Sequence, residues 1–152
     1  MLSVCEEDVS APVSMVLRSA LSRELAERYD NAEAGAAGFD PAKVGDGGAF
    51  VVARLHGQPV GCGAIVPLDP ETAEVKRVFV LPDRRGEGIA KAVMSRLEGL
   101  ARSRGYRSLR LETGDRQAEA VALYEQIGYR HVDCWGPYVG RSYSVCMEKQ
   151  LG

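Results

Sequence analysis

Apolar residues recur at two different spacings along this chain, and the changes of spacing mark out its elements. Val13, Val16, Leu17, Ala20, Leu21, Leu25 and Tyr29 recur at 3–4 residue spacing. That spacing predicts an amphipathic helix over about residues 11–29. Ser10 is placed to cap it, and Pro12 suits its first turn. Ahead of it, Leu2 to Glu6 reads as a short first strand. Residues 30–48 keep no period. Their glycines, prolines and alanines read as a loop with one helical turn near Pro41 to Val44. Loops of that length in a small domain are commonly functional or mobile.

Three strand-like runs follow, at Ala49 to His56, Pro59 to Pro67 and Ala73 to Leu81. Gly57-Gln58 reads as a tight hairpin turn, and the short connections predict an antiparallel meander. The period then lengthens. Ile89, Val93, Leu97, Leu100 and Ala101 predict a helix closed by Gly105. Leu109 and Leu111 alternate with Arg110 and Glu112, as in a strand. A second helix is expected from about Arg116 to Gln126, closed by Gly128. A strand near Tyr129 to Cys134 and a last one at Ser142 to Lys149 complete the chain. The crossover from Ala73–Leu81 to Ser108–Glu112 is long enough for parallel pairing.

Composition narrows the function. The chain has 152 residues, 45% of them hydrophobic and 26% charged, which predicts one globular domain. Nineteen basic against 21 acidic residues give a net charge of −2, which argues against a nucleic-acid binder. No apolar run is long enough for a membrane helix. The N-terminus lacks a basic region followed by an apolar core, so a cytoplasmic location is expected. Cys5, Cys62, Cys134 and Cys146 form no C-x-x-C pair. Reduced, mostly buried thiols are expected. With His56 and His131 the only histidines and no ligand cluster, no metal site is expected, and Cys134 and Cys146 read as packing residues.

The chemistry concentrates in Val78-Phe79-Val80-Leu81-Pro82-Asp83-Arg84-Arg85-Gly86-Glu87-Gly88-Ile89-Ala90. A strand ends, a charged turn follows, and two glycines stand directly before a helix. Helix N-termini present unpaired N–H groups and partial positive charge. Glycine lets a ligand approach them, and Arg84 and Arg85 add charge, so the segment suits a phosphate or pyrophosphate. A Walker loop is excluded because no Gly-Lys-Ser/Thr triplet is present, and a Rossmann site because Lys91 stands where its third glycine belongs.

Arg85-Gly86-Glu87-Gly88-Ile89-Ala90 resembles the acyl-CoA motif R/Q-x-x-G-x-G/A of the GNAT N-acetyltransferase superfamily. Glu74 to Pro82 resembles the family's central strand, and Leu111-Glu112-Thr113 its parallel neighbour. Ala120-Val121-Ala122-Leu123-Tyr124-Glu125-Gln126-Ile127-Gly128-Tyr129 resembles its second motif helix. Two motifs in the right order are more specific than either alone. The resemblance covers the chain from about residue 49 to its end. It implies a GNAT acyl-CoA N-acyltransferase fold: α/β (α+β), a mixed sheet of six or seven strands with a central parallel pair and flanking helices.

The resemblance also implies site residues. Acetyl-CoA would lie where the central strands splay, its pyrophosphate on the N–H groups of Arg85, Gly86, Gly88 and Ala90, with Glu87 and Ile89 in the same loop. The pantetheine would pair with the strand Val78, Phe79, Val80, chiefly through Phe79 and Val80, as an added strand does. Arg84 and Arg85 would meet phosphates, and Glu87 should point outward. Tyr124 takes the family's tyrosine position and would protonate the leaving thiolate. Its bland alternative is packing between helix and sheet. Glu74 is the first candidate general base and Glu112 the second. Each has the alternative of an exposed carboxylate paired with Lys76 or Arg110. The Val80 N–H is a candidate donor to the thioester carbonyl.

The acceptor site in such proteins is built from the first helix, the following loop and the late strands. Here Phe39, Trp135, Tyr138 and Tyr143 are candidate walls, and Lys76, Arg77 and Arg141 candidate partners of a carboxylate. The expected partner is a small-molecule amine, with no nucleic acid or membrane, and the chain is expected to form a homodimer. A protein lysine or N-terminal acetyltransferase and a non-catalytic acyl-CoA sensor stay open as alternatives.

Overall fold

Along Ala49–Leu55 the side chains of Val51 and Ala53 join one apolar cluster, and those of Phe50 and Val52 another. The two-residue period of a strand requires this. That strand, β2, belongs to a mixed seven-stranded sheet with β1 (Leu2–Glu6), β3 (Gln58–Pro67), β4 (Thr72–Val80), β5 (Ser108–Gly114), β6 (Arg130–His131) and β7 (Ser144–Gln150). The order across the sheet is β1-β2-β3-β4-β5-β7-β6. A computed structural model describes residues 1–29 and 39–152. Residues 30–38 of the expected loop lie outside the described residues. The predicted turn at Pro41–Val44 is present as a 3₁₀ helix.

Helix α1 (Pro12–Arg28) covers one face, packing Leu17 and Leu21 against Phe50, Val52, Cys62, Ala64 and Phe79. Helices α2 (Ile89–Ser103) and α3 (Ala118–Gln126) share the other cluster, where Val93, Met94, Leu97 and Tyr124 meet Val51, Ile65, Val75, Leu111 and Met147. Strands buried on both faces are continuously apolar rather than alternating, and β2 and β3 have that character. Among the described residues no helix is long and apolar enough to cross a membrane.

The expected meander of β2, β3 and β4 is antiparallel, and β4 pairs parallel with β5. Several boundaries differ from expectation. Ala11, not Ser10, occupies the N-cap of α1 and makes no side-chain cap, although Pro12 opens the helix as expected. The Ser10 N–H instead donates to Asp8 Oδ1 at 2.8 Å, so an aspartate turn governs the entry. The β6 strand is shorter than the run Tyr129 to Cys134.

The cysteines require a larger correction. Cys134 and Cys146 are joined in a disulfide, with Cα atoms 5.3 Å apart. Spacing along the chain conceals this, because the two meet only across the β6–β7 pair, where the Val132 N–H donates to the Cys146 carbonyl at 3.0 Å. Cys62 is buried and free, its thiol pushed up to about 12 by burial, while Cys5 is free and exposed.

One irregularity prepares the site. The β3–β4 register places Cys62 opposite Phe79 but Ala64 opposite Lys76, so Arg77 and Val78 face Gly63 alone. Arg77 takes φ 58°, in the left-handed region. This is a β-bulge, which bends its strand. Parallel pairing of β4 with β5 runs from Thr72↔Ser108 to Val75↔Leu111, whereas β5 stays paired with β7 as far as Gly114↔Ser144. Beyond Val75 the two central strands part.

Candidate active site

The parted strands expose a backbone edge. Successive residues of a strand turn their N–H and C=O groups to opposite sides. The Leu81 N–H donates to the Val60 carbonyl at 2.9 Å, so Leu81 and Phe79 face β3, while Val78 and Val80 face the opening. Phe79 was expected to offer its backbone to pantetheine alongside Val80; alternation gives that edge to Val78 and Val80.

The opening leads to the N-terminus of α2. Its first helical bond is Ala92 N–H to Gly88 O at 3.1 Å, so the N–H groups of Gly86, Gly88 and Ala90 are left for another partner, whereas that of Arg85, expected to join them, donates to the Pro82 carbonyl at 3.5 Å. Gly86 and Gly88 take φ 83° and 82°, and a Cβ on either would meet nothing within 4 Å. Both glycines are needed for conformation, and both lie open above. Glu87 points outward as expected, 4.0 Å from Arg84. Arg85 lies along the wall of the opening, held by protein groups instead of standing free to meet a phosphate. Its Nε donates to the Val80 carbonyl at 3.0 Å and its Nη2 to Glu24 Oε1 at 2.7 Å. This cavity is lined by Val78, Phe79, Val80, Arg84, Arg85, Gly86, Gly88, Ile89, Ala90 and Tyr124, together with Leu21, Glu24 and Gln117. Free N–H groups, glycines without steric cover and an open strand edge together fit an acyl-CoA.

A second cavity adjoins it. Leu21, Val78, Gln117 and Tyr124 line both. Beyond them it is bounded by Leu25, Tyr29, Phe39, Lys76, Arg77, Glu112, Tyr138, Arg141 and Tyr143. Tyr124 thus stands at the junction. Its ring packs edge-on to Tyr129 with centroids 5.9 Å apart, and its hydroxyl bonds to none of the described residues. Burial raises its pKa well above the usual phenol value, which keeps the proton on oxygen.

The two candidate bases differ in placement. Glu74 is buried behind the wall. The Tyr138 O–H donates to its Oε2 at 2.6 Å, and Lys76 Nζ lies 3.0 Å from the same oxygen and also donates to the Tyr138 hydroxyl. Glu74 does not line the cavity. Glu112 does. It accepts from Ser144 Oγ at 2.7 Å and stands 3.8 Å from Arg141 Nη1. Burial raises its carboxyl pKa, opposed in turn by Ser144, Arg141 and Lys76, with Glu74 raising it further.

Of the expected substrate residues, Phe39, Lys76, Arg77 and Tyr138 line this cavity and Trp135 does not. Trp135 stands one layer behind, edge-on to Tyr138 at 5.4 Å and beneath the Arg110 guanidinium at 5.5 Å. An aromatic beside a glycine-proline turn carries no signal in sequence as to which layer it takes. Gln117 was not singled out for the site. Gly114 leaves the room that the Tyr29 hydroxyl occupies. Arg28 and Arg116 exchange hydrogen bonds with each other's carbonyls at 3.4 and 2.8 Å, closing that end. Among the described residues no group of three or more His, Cys, Asp or Glu is placed to hold a metal.

Residues 15–129 match the acetyltransferase (GNAT) family. Over 104 residues, 67% of each protein, the chain is 45% identical to the IAA acetyltransferase of Azospirillum brasilense. Other relatives align over less of their own length, 54% for an uncharacterized N-acetyltransferase of Escherichia coli that is 37% identical. A Klebsiella pneumoniae structure described as an acyl-CoA N-acyltransferase superimposes with a TM-score of 0.84 at 32% identity, over 100% of this chain and 99% of that one. A GNAT acetyltransferase of Elizabethkingia anophelis, solved with acetyl-CoA bound, shares the fold with a TM-score of 0.71 at 18% identity, over 98% and 97%.

Proposed function

Because the chain belongs to the acetyltransferase (GNAT) family, we propose that it transfers the acetyl group of acetyl-CoA to a primary amine of a small molecule, by direct attack in a ternary complex. The observation that carries this reading is the continuity of the two cavities through Val78 and Tyr124. One cavity has the glycine-lined helix start and open strand edge that suit an acyl-CoA. The other has a half-buried carboxylate, Glu112, that suits an amine.

The step is a substitution at the thioester carbon. The amine nitrogen forms a bond to that carbon, the C–S bond breaks, and the sulfur leaves with the electron pair. Glu112, facing the acceptor cavity, takes the proton the nitrogen loses, and its raised pKa brings it nearer the working pH of a base. Tyr124 gives its proton to the sulfur and regains one from solvent. The N–H of Val80, on the parted side of β4, polarises the carbonyl. Glu74 acts through Tyr138 and Lys76, fixing the wall. No covalent enzyme intermediate is needed, since both reactants are held together.

Calorimetric titration of acetyl-CoA, with CoA and dephospho-CoA as controls, tests the first half. Binding followed by amine-dependent thiol release supports the reading. Absence of binding overturns it.

A further inference from the structure

Three cations line the acceptor cavity, and they are not equivalent. Lys76 is engaged by Glu74 and Tyr138. Arg77 donates from Nη2 to the Arg18 carbonyl at 2.7 Å and to Ser22 Oγ, so it is tied to α1. Arg141 is held differently. Its guanidinium lies over two rings, 5.2 Å from the Tyr138 centroid and 5.3 Å from that of Tyr143. Its approach to Glu112, at 3.8 Å, is longer than a hydrogen bond. It makes no side-chain hydrogen bond among the described residues. A planar fork of donors, fixed by stacking and turned into a cavity, is suited to a carboxylate gripped by two parallel bonds.

Charge points the same way. The cavity wall carries Lys76, Arg77 and Arg141 against Glu112, and counting Glu74 behind the wall leaves one positive charge over. Such a lining disfavours a purely cationic acceptor such as a polyamine, and is balanced by one acceptor carboxylate. Glu112 and Arg141 are also neighbours, and the amine and carboxyl carbon of an α-amino acid are only two bonds apart. The far wall, Leu25, Tyr29 and Phe39, is apolar or aromatic.

We propose that the acceptor is an α-amino acid with an apolar or aromatic side chain, its carboxylate seated on Arg141 and its amine turned to Glu112. This rests on the acetyltransferase reading above and adds the substrate class.

The test compares matched pairs under saturating acetyl-CoA, reading thiol release: L-phenylalanine with 2-phenylethylamine, L-leucine with isoamylamine, and L-methionine with 3-(methylthio)propylamine. The amino acid of at least one pair is expected to exceed its decarboxylated partner in kcat/KM by roughly 10- to 100-fold, the loss expected when one charge-assisted contact is removed. In Arg141→Gln that ratio collapses towards one, mainly through the KM of the amino acid, and Arg141→Lys recovers part of it. Acetyl-CoA titration of each variant reports whether it is folded, and if Arg141→Gln is not, the wild-type pairs alone decide. Amines equal to amino acids, or a ratio unchanged in a folded Arg141→Gln, overturn the proposal. A panel inert throughout while acetyl-CoA binds overturns it too, leaving the family activity standing. Failure to bind acetyl-CoA overturns the underlying reading instead.

Discussion

The Ser144 hydroxyl donates to Glu112 Oε2 at 2.7 Å across the β5–β7 pair. This bond favours the charged carboxylate, while burial, the larger influence, disfavours it. The acidic limb of the pH–rate profile is therefore expected above the ordinary glutamate range. Ser144→Ala removes the bond and raises the pKa further, moving the limb to higher pH. Glu112→Gln abolishes the limb and lowers turnover by roughly 10²- to 10⁴-fold. A limb that does not move in Ser144→Ala removes Glu112 from the mechanism.

The same shift has a consequence for stability. A carboxyl whose pKa is higher folded than unfolded stabilises the fold below its unfolded pKa and loses that contribution as pH rises through the folded value. At neutral pH the Glu112 charge is thus a cost. Glu112→Gln is expected to melt above the parent near pH 7, with the gap closing towards about pH 4. Thermal scans at the two pH values check the sign.

Tyr124→Phe separates chemistry from binding. The hydroxyl bonds to none of the described residues, so its loss should leave melting and acetyl-CoA affinity close to the parent. Turnover should fall by roughly 10²-fold or more. Full activity would exclude Tyr124 as the proton donor to sulfur.

At the start of α2, Gly86→Ala and Gly88→Ala each force a side chain into a left-handed conformation, at about 1–2 kcal/mol. The space above both is open, so the cost is conformational rather than a clash within the protein. Acetyl-CoA affinity should drop more than melting temperature, and calorimetry beside thermal denaturation distinguishes the two.

The Cys134–Cys146 bridge closes a short loop, with a sequence separation of 12. Cutting a loop of that size costs about 3 kcal/mol or less, roughly 6–12 °C in melting temperature for a chain of this length. A dithiol reductant should produce this shift in the parent and none in Cys134→Ser. Alkylation mass spectrometry should find only Cys5 readily modified before reduction.

Much of this molecule is legible in its sequence because the signals are local. The 3–4 residue spacing along α2, the glycines at its start and at the ends of α2 and α3, and the hairpin at Gly57-Gln58 all act within a few residues. What stayed hidden acts across the sheet. The bulge at Arg77 shows no glycine and no break in pattern; it exists because β4 must be one residue longer than β3 at that point. Glu74 and Glu112 are both strand glutamates that follow an apolar residue, and only the tyrosine arriving from residue 138 puts one behind the wall and leaves the other in the cavity. The disulfide is hidden likewise, since its halves meet through strand pairing.

The bridge also sets what can change independently. Between its two cysteines the chain carries Tyr138, Arg141, Tyr143 and Ser144, the late-chain residues that wall the acceptor cavity or hold Glu112. The acyl-CoA cavity draws nothing from this stretch. Residues 134–146 therefore form a covalently bounded cassette, its far end fixed in β7. Exchanging it as a unit offers a way to redirect the enzyme to other acceptors while leaving the donor half as it stands.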